Sequence, residues 1–311
     1  MPRKLTNRVI VIDGSMLIHK SQHVFKRLSV KSEDKTVGTG IAYGFLRAVM
    51  RLNKMYEPCE TCVVFDNSMN VVDPYQEDAI SYRQEILPEY KADRSHNTNL
   101  IDGVRLLFRF LKTLPVTVIY PTIRYEADDL IAFVARKAFQ DHMKSKLGKY
   151  EIIVVSDDKD FNQLIHKTNG FSVALHKKKD DIWDTKKFRD KFGFAPDKFL
   201  PYLALLGDKG DNIRGVFGYG KVKAAALVRN FDADEIVQKL TNEEAALFIR
   251  NMTLISLNPQ NDVVSRIYQH SLDRNKFNKL SRKYKMMSFL RKEEQELLDS
   301  INKVSFLEGT K

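Results

Sequence analysis

Short apolar runs alternate with longer stretches of helical periodicity over the first half of the chain. Residues 9–12, 62–65, 116–120 and 152–155 are almost entirely apolar, which predicts four buried β-strands. Residues 40–56, 100–114 and 126–139 carry apolar side chains three or four positions apart, which predicts helices that bury one face. This alternation indicates the α/β class, with a mainly parallel sheet flanked by helices.

Two parts of the chain break the alternation. Residues 67–99 are polar and too long for an ordinary connection, so we expect a functional loop or a partly helical excursion that gains order only with a partner. After about residue 195 the pattern predicts no strands, whereas residues 196–206, 221–230, 234–240 and 243–252 look helical. We therefore expect an α/β domain over residues 1–194 and a helical region over residues 195–311, with a charged helical tail from residue 274.

Charge indicates the class of partner. The 311-residue chain has 51 Lys and Arg against 40 Asp and Glu, a net charge of +11. This surplus favours a polyanion, nucleic acid first and an anionic membrane second. Hydrophobic residues make up 43% of the chain, which excludes wholesale disorder. No apolar run approaches the roughly 18 residues of a membrane span, and the basic start leads directly to Asp13, so we expect neither a membrane helix nor a signal peptide.

The two cysteines, Cys59 and Cys62, form a C-x-x-C pair at a predicted strand. A zinc site would need two further ligands, and a redox-active pair normally starts a helix. We therefore expect two reduced thiols and a reducing compartment, the cytoplasm.

Acidic residues recur where the predicted strands end and where two later helices meet. They form five groups, which comprise Asp13, Asp66, Glu126 with Asp128 and Asp129, Asp157 with Asp158 and Asp160, and Asp208 with Asp211. A single such residue is usually a helix cap or a turn residue, but ligands of open α/β sheets bind where strands end. Two converging carboxylates about 4 Å apart repel by roughly 4 kcal/mol, so a cluster must bind cations or take up protons. Oxygen ligands without His or Cys suit Mg²⁺ or Mn²⁺.

A glycine-rich turn follows the last acidic group. Residues 215–221 fit G-x-x-x-x-G-K, the phosphate loop of nucleotide-hydrolysing proteins. The next residue is Val222 rather than Ser or Thr, and the motif follows a helix rather than a strand, so we reject that function. A glycine hairpin between two helices instead suits a backbone phosphate of DNA.

Together these motifs resemble the 5′-nuclease or flap endonuclease family, most closely its phage members, including the phage ribonuclease H branch. The matching segments are VIDGS, VVFD, LPEYKADR, YEADD, VVSDDKDFNQL and LLGDKGDNIRGVFGYGKVKA, in that order between about residues 8 and 232. The resemblance implies a PIN-like nuclease fold with an arch over residues 67–99. It also implies a helix–three-turn–helix at about residues 196–231.

The resemblance further implies roles for individual residues. The first metal site would comprise Asp13, Asp66, Glu126 and Asp128, and the second Asp158, Asp160, Asp208 and Asp211, with Asp129 between them. Tyr90, Lys91 and Arg94 would be gateway residues over the scissile phosphate. Gly215, Gly218, Gly220, Lys221 and Lys223 would form the hairpin that grips duplex DNA, often with a K⁺ ion. Asp157 departs from the family, where a small or uncharged residue is more usual.

We therefore predict a structure-selective 5′-nuclease, a flap endonuclease and 5′-3′ exonuclease with two Mg²⁺ ions, for which Mn²⁺ can substitute. It would cut branched DNA and RNA–DNA primers during replication, as a monomer in the cytoplasm of a bacterium or an infected host. Single-strand-binding protein or a sliding clamp would be its protein partners, with no membrane.

Three other functions fit less well. A non-catalytic protein that binds branched DNA would not need the nine acidic residues that are intact here. A phosphatase of the haloacid-dehalogenase type needs D-x-D where this chain has Asp13-Gly14-Ser15. A small toxin-like ribonuclease would lack the second, helical region.

Overall fold

The computed structural model describes residues 7–32, 35–67, 80–92, 100–122, 124–145, 149–257 and 263–301. Its strands are β1 (Asn7–Asp13), β2 (Ser29–Ser32), β3 (Lys35–Gly38), β4 (Glu60–Val64), β5 (Thr117–Pro121), β6 (Tyr150–Val155), β7 (His166–Lys167), β8 (Phe171–Lys177), β9 (Asp181–Trp183), β10 (Gly207–Asp208), β11 (Ile213–Arg214) and β12 (Val264–Gln269). Its helices are α1 (Gly14–Phe25), α2 (Gly40–Tyr56), α3 (Tyr82–Ile86), α4 (Ile101–Leu111), α5 (Ala127–Ser145), α6 (Thr185–Phe192), α7 (Phe199–Leu206), α8 (Lys221–Asn230), α9 (Ala233–Val237), α10 (Asn242–Ile255), α11 (Arg274–Lys283) and α12 (Lys292–Ser300). Within the described ranges, no helix has both the length and the apolar character needed to cross a bilayer.

Parallel strands form the centre of the main sheet. Strands β5, β4, β1, β6 and β8 lie side by side in that order, and every neighbouring pair is parallel. Strand β12 pairs antiparallel with β5 at one edge, and the short strands β7 and β9 pair antiparallel with β8. The predicted mainly parallel sheet is confirmed. Because β1 lies between β4 and β6, the residues that follow these three strands emerge next to one another.

Helices cover both faces of this sheet. In β1, Val9 and Val11 face a core that contains α5, whereas Ile10 and Ile12 face a second core with α1, α2 and α4. All four side chains are fully buried, which explains why the strand reads as a continuous apolar run. Helices α7, α8 and α10 pack on the core that contains α5. This places the C-terminal helices on the same side of the sheet as α5.

The last part of the chain does not follow the predicted pattern. Residues Val264–Gln269 form β12, so the expectation of no strand after about residue 195 is wrong. Helix α11 then packs on α4, and the ring centroid of Phe277 lies 5.3 Å from that of Phe110. Phe289 and Leu298 are fully buried in the same core. Residues 263–301 therefore complete the α/β body instead of extending the helical region.

The polar segment over residues 67–99 is partly helical, as expected. Helix α3 begins at a capping box formed by Ser81 and Gln84. Within this segment, Arg83, Leu87 and Tyr90 are buried. The expectation that the segment gains order only with a partner stays a prediction. Residues 68–79 and 93–99 lie outside the described residues.

Both cysteines carry free thiols, as predicted. Cys62 is buried within β4, and burial raises the pKa of its thiol well above the usual value.

Candidate active site

The ends of the central strands position the acidic groups. Asp13 is the last residue of β1, Asp66 follows β4, and Asp158 follows β6. Strand β5 leads to Glu126, which directly precedes α5. A pocket at this edge is lined by Glu126, Asp128, Asp158, Asp160, Asp208, Asp211, Arg83, Tyr90 and Lys91, together with four apolar residues. The fold thus brings together carboxylates as distant in sequence as Glu126 and Asp211, which are 85 positions apart.

Asp13 and Asp66 are held in place by the elements that follow them. Asp13 caps α1, since one of its oxygens accepts a hydrogen bond from the Met16 N–H at 2.9 Å. Its other oxygen accepts one from the Ser156 hydroxyl at 2.8 Å. Asp66 accepts hydrogen bonds from the Ser15 hydroxyl at 3.0 Å and from the Ala127 N–H at 2.9 Å. These bonds fix the orientation of both carboxylates relative to β6 and α5.

Glu126 contacts residues 80–92, the described part of the polar segment that we call the gateway segment. The Lys91 ammonium nitrogen lies 2.8 and 2.7 Å from its two carboxylate oxygens, and the Tyr90 hydroxyl donates to it at 3.0 Å. Burial opposes ionisation of Glu126, but Lys91 and Arg83 outweigh burial and lower its pKa. Lys91 also has a left-handed backbone, with φ of 56°, which is uncommon for a residue with a side chain. This local strain indicates that the position of the ammonium group is set by its surroundings.

The second acidic group comes from two separate segments. Asp158 accepts a hydrogen bond from the Asp160 N–H at 2.9 Å, so these neighbours form one turn after β6. Asp208 pairs with the Lys159 ammonium at 2.8 Å. Asp211 accepts a hydrogen bond from the Tyr90 hydroxyl at 3.4 Å, which is long for such a bond. Tyr90 thus lies between Glu126 and Asp211.

Mutual repulsion and burial keep several of these carboxyl groups from ionising easily. Burial raises the pKa of Asp13 to about 6, and the charge of Asp158 adds to the shift. Burial also raises the pKa of Asp160 to about 7, followed by repulsion from Asp158. The pKa of Asp128 lies well above its usual value for the same two reasons, burial and then repulsion from Asp13. A bound cation would offset the repulsion between these carboxylates and so lower their pKa values.

Asp129 does not face the pocket. Its two oxygens accept hydrogen bonds from the Arg83 guanidinium, both at 2.6 Å, and both side chains are buried. Arg83 donates further bonds to the backbone carbonyls of Leu254 and Ser256 at the end of α10, at 2.8 and 3.2 Å. It also approaches Glu126 at 3.3 Å. Sequence reasoning missed Arg83, because no local pattern distinguishes it from a solvated arginine of an amphipathic segment.

The glycine turn links α7 to α8 through β10 and β11. A side chain at Gly215 would place its first carbon 2.2 Å from the carbonyl oxygen of Leu206, so only glycine fits there. Gly218 has φ of 79°, in the left-handed region that favours glycine. Gly220 is the N-cap of α8 and provides no side-chain cap. Lys221 and Lys223 are exposed in the first turn of this helix.

Comparison with known proteins identifies the family. The model of the 5′-3′ exonuclease N-terminal, resolvase-like domain matches residues 8–193. The 5′-3′ exonuclease of Buchnera aphidicola subsp. Schizaphis graminum is 31% identical over 233 residues, which cover 74% of this chain and 73% of that protein. The chain belongs to the 5′-3′ exonuclease family.

A second relative and a solved structure support this assignment of family and fold. The flap endonuclease Xni of Shewanella sp. (strain MR-4) is 30% identical over 226 residues, 72% of this chain and 76% of that protein. The crystal structure of the bacteriophage T5 flap endonuclease, in a pseudo-enzyme-product complex with DNA and metal ions, has a TM-score of 0.60 at 19% identity. That match covers 95% of this chain and 98% of the T5 chain. The predicted family, fold class and 5′-nuclease function are confirmed, whereas the individual site residues stay predictions.

The sequence also singled out Arg94 and Asp157. Arg94 lies outside the described residues. Asp157 accepts a hydrogen bond from the Lys178 N–H at 2.6 Å and pairs with the Lys20 ammonium at 2.7 Å. These contacts account for Asp157 without a metal.

The donor set fits a hard divalent cation, although the carboxylates are not arranged around one. Among the described residues, no three His, Cys, Asp or Glu side chains stand close enough together to hold one ion. The ammonium groups of Lys91 and Lys159 lie against Glu126 and Asp208 instead. The Oδ1 atom of Asp160 is buried and accepts no hydrogen bond from the described residues. An ion bound through oxygen would satisfy this atom and relieve the repulsion among the carboxylates.

Proposed function

We propose that this 5′-3′ exonuclease family member hydrolyses phosphodiesters of flapped and branched DNA, and of RNA–DNA duplexes, in a metal-dependent reaction. The observation that carries the proposal is the convergence of Glu126, Asp128, Asp158, Asp160, Asp208 and Asp211 on one pocket. In a chain of net charge +11 such a pocket has the opposite sign to the molecule as a whole. Positive surface would hold the polyanion, and the acidic pocket would hold cations at the bond to be cut.

Two Mg²⁺ ions, with Mn²⁺ as a substitute, would be held by two groups of carboxylates. The first group is Asp13, Asp66, Glu126 and Asp128, and the second is Asp158, Asp160, Asp208 and Asp211. We leave Asp129 out of both groups, because Arg83 takes both of its oxygens. When bound, the ions would supply an activated water and would offset negative charge on the phosphate.

Lys91 and Tyr90 would act on the phosphate from the gateway side. The Lys91 ammonium is partly exposed and already lies at the pocket, so it can exchange Glu126 for a phosphate oxygen as charge develops there. Burial raises the pKa of Tyr90 well above its usual value, so its hydroxyl remains a hydrogen-bond donor at neutral pH. Tyr90 would keep Glu126 oriented when Lys91 leaves it. Arg94 is proposed as the second cation on the strength of the sequence alone.

The glycine turn would hold the duplex next to the pocket. Lys221 and Lys223 offer two exposed charges at the start of α8. Gly218 and Gly220 would let the backbone approach a phosphate closely, whereas Gly215 would shape the turn, because the Leu206 backbone fills the space beside it. A K⁺ ion bound by carbonyl groups of this turn would complete the contact.

A cleavage assay tests the reaction. End-labelled flap, nicked duplex and RNA–DNA hybrid are incubated with the full chain, with Mg²⁺ or with chelator. Cleavage of the flap in Mg²⁺ and none with chelator is the expected result. Asp128→Asn and Asp158→Asn should abolish cleavage, yet bind metal-free DNA as well as the wild type or more tightly, since one negative charge is lost.

Asp157→Asn is the matched control, because this neighbouring acid contacts Lys20 and the Lys178 N–H. It should cut at close to the wild-type rate. Wild-type rates in Asp128→Asn and Asp158→Asn would refute the metal assignment. Binding of branched DNA without cleavage by the wild type would support the alternative of a non-catalytic binding protein.

The same proposal places the protein in the cytoplasm, as a monomer, at DNA replication intermediates. A single-strand-binding protein or a sliding clamp would be its partner there.

A further inference from the structure

The two most exposed large apolar side chains of the described residues belong to the glycine turn and to the first turn of α8, which follows it. Phe217 is 85% exposed and Val222 is 86% exposed, whereas the next, Val24, is 67% exposed. Val216, directly before Phe217, is buried and anchors the turn. The backbone therefore turns Phe217 outward while its neighbour packs inward.

The surroundings of these side chains are basic. Residues 212–231 contain Arg214, Lys221, Lys223 and Arg229 and no acidic residue. The Lys223 ammonium lies 4.1 Å from the ring centroid of Tyr219, which holds one of these charges beside the turn. An apolar tip beside the exposed side chains of Lys221 and Lys223 suits a ligand that offers apolar patches between anionic groups.

We propose that Phe217 and Val222 contact the sugar edges of a DNA duplex in its minor groove, between the phosphates that the lysines bind. Proteins that bind the minor groove frequently place apolar side chains in it, often as wedges between base steps. The proposal rests on the proposed function, in which this turn holds the duplex. It adds that two apolar side chains of the turn contact the sugars of that duplex. Since RNA displays 2′-hydroxyl groups in its minor groove, the apolar contact favours deoxyribose over ribose on the duplex that the turn holds.

Salt dependence separates this contact from an ionic one. Binding of the metal-free full chain to a fluorescent DNA hairpin duplex is measured by anisotropy at several salt concentrations. Phe217→Ala should weaken binding about 5- to 10-fold at every salt concentration, because the area it buries is apolar. The slope of log affinity against log salt should stay unchanged. Lys221→Ala should instead reduce that slope by about one, the loss of one phosphate contact.

A control variant and a rescue variant complete the set. Met143→Ala removes another highly exposed apolar side chain, 63% exposed, near the far end of α5. It should bind as the wild type does. Phe217→Leu should recover most of the lost affinity, because it restores an apolar side chain. On a duplex with ribose in both strands, Phe217→Ala should cost much less than on DNA.

The outcomes distinguish the two proposals. Wild-type affinity of Phe217→Ala, together with a reduced slope in Lys221→Ala, would overturn the apolar contact and leave the turn as the duplex site. No effect of either variant would remove the whole turn from the duplex site. An equal loss on DNA and on ribose duplexes would overturn the preference for deoxyribose.

Discussion

The buried Arg83 side chain connects three parts of the molecule, and its charge is paired with Asp129. Arg83 belongs to α3 of the gateway segment, Asp129 to α5, and the carbonyls of Leu254 and Ser256 to the end of α10. Asp129 directly follows Asp128 in sequence, yet the two side chains have different surroundings. Helix geometry turns adjacent residues by about 100°, so one carboxylate meets the pocket and the other meets the guanidinium.

A double-mutant cycle tests this assignment. Arg83→Met or Asp129→Leu alone should destabilise the protein by about 3–5 kcal/mol, since each leaves an uncompensated buried charge. The double variant should be destabilised by much less than the sum of the two. Urea unfolding measures the stabilities, and calorimetric titration with Mg²⁺ measures ion binding. Retained Mg²⁺ binding in the folded double variant confirms that Asp129 is no ligand, whereas additive stabilities would contradict the pairing.

The raised pKa of Asp160 makes stability of the metal-free protein depend on pH. Burial raises its pKa in the folded protein to about 7, against the ordinary value of 3.8 for an aspartate, so the folded state binds this proton more tightly than the unfolded state. The resulting stabilisation is complete below about pH 4 and is lost as pH rises through about 7. Asp160→Asn removes this dependence. The variant should therefore gain stability relative to the wild type as pH rises from about 4 to about 7, at up to about 1.4 kcal/mol per pH unit, and the difference should level off above pH 7.

Thermal unfolding of both proteins in chelator, at several pH values, measures this difference. Mg²⁺ at pH 8 should raise the melting temperature of the wild type more than that of Asp160→Asn, because the ion replaces the proton. A difference between the proteins that does not change with pH would show that the pKa of Asp160 is the same in the folded and unfolded states.

At the scale of elements, the glycine turn needs glycine at position 215, where another backbone segment packs closely, but not at position 220, where the space is open. Gly215→Ala should destabilise the protein by roughly 1–3 kcal/mol, because the added carbon would meet the Leu206 carbonyl. Gly220→Ala should change stability by less than about 0.5 kcal/mol, because nothing lies within 4 Å of the added carbon. Chemical denaturation of the two variants compares them directly. Equal stabilities would mean that the turn relaxes around Gly215.

Helices and strands with a clear pattern of apolar residues could be predicted from the sequence. Those that depend on pairing with residues far along the chain could not. The bounds predicted for α8, residues 221–230, are those of the structure, because its ends are marked by Gly220 and by the polar Asn230. Strand β8 escaped prediction because His176 and Lys177 end its apolar run, and α1 because it starts inside the VIDGS motif. Strand β12 has exposed or half-buried side chains and owes its conformation to pairing with β5.

In the candidate site, too, some features could be predicted from the sequence and others could not. The carboxylates could be found because each stands at the end of a recognisable strand or helix. The contacts of Lys91 with Glu126 and of Arg83 with Asp129 join residues 35 and 46 positions apart. No periodicity encodes such pairings, so the sequence indicated candidate carboxylates but not which of them pair with a cationic side chain.

At the scale of the whole molecule, the sheet separates two cores that must fold together. One core holds α5 and the helices that carry the second acidic group and the glycine turn, and the other holds α1, α2, α4, α11 and α12. Strands β1, β4 and β6 contribute side chains to both. Residues 263–301 close the second core and add an edge strand.

Phe277→Ala tests whether this C-terminal closure stabilises the whole body. Phe277 is fully buried in α11 against Phe110 and Phe289, so truncation should cost about 3–5 kcal/mol. Trp183, the single tryptophan, lies in β9 and packs against the other core, so its fluorescence reports unfolding across the sheet. Urea unfolding followed by this fluorescence and by circular dichroism should give one shared midpoint, lowered equally in the variant. The exposed neighbour Lys276→Ala should leave both midpoints unchanged. If the Trp183 midpoint stayed at the wild-type value in Phe277→Ala, the C-terminal residues would be an independent unit and not the closing element of the sheet.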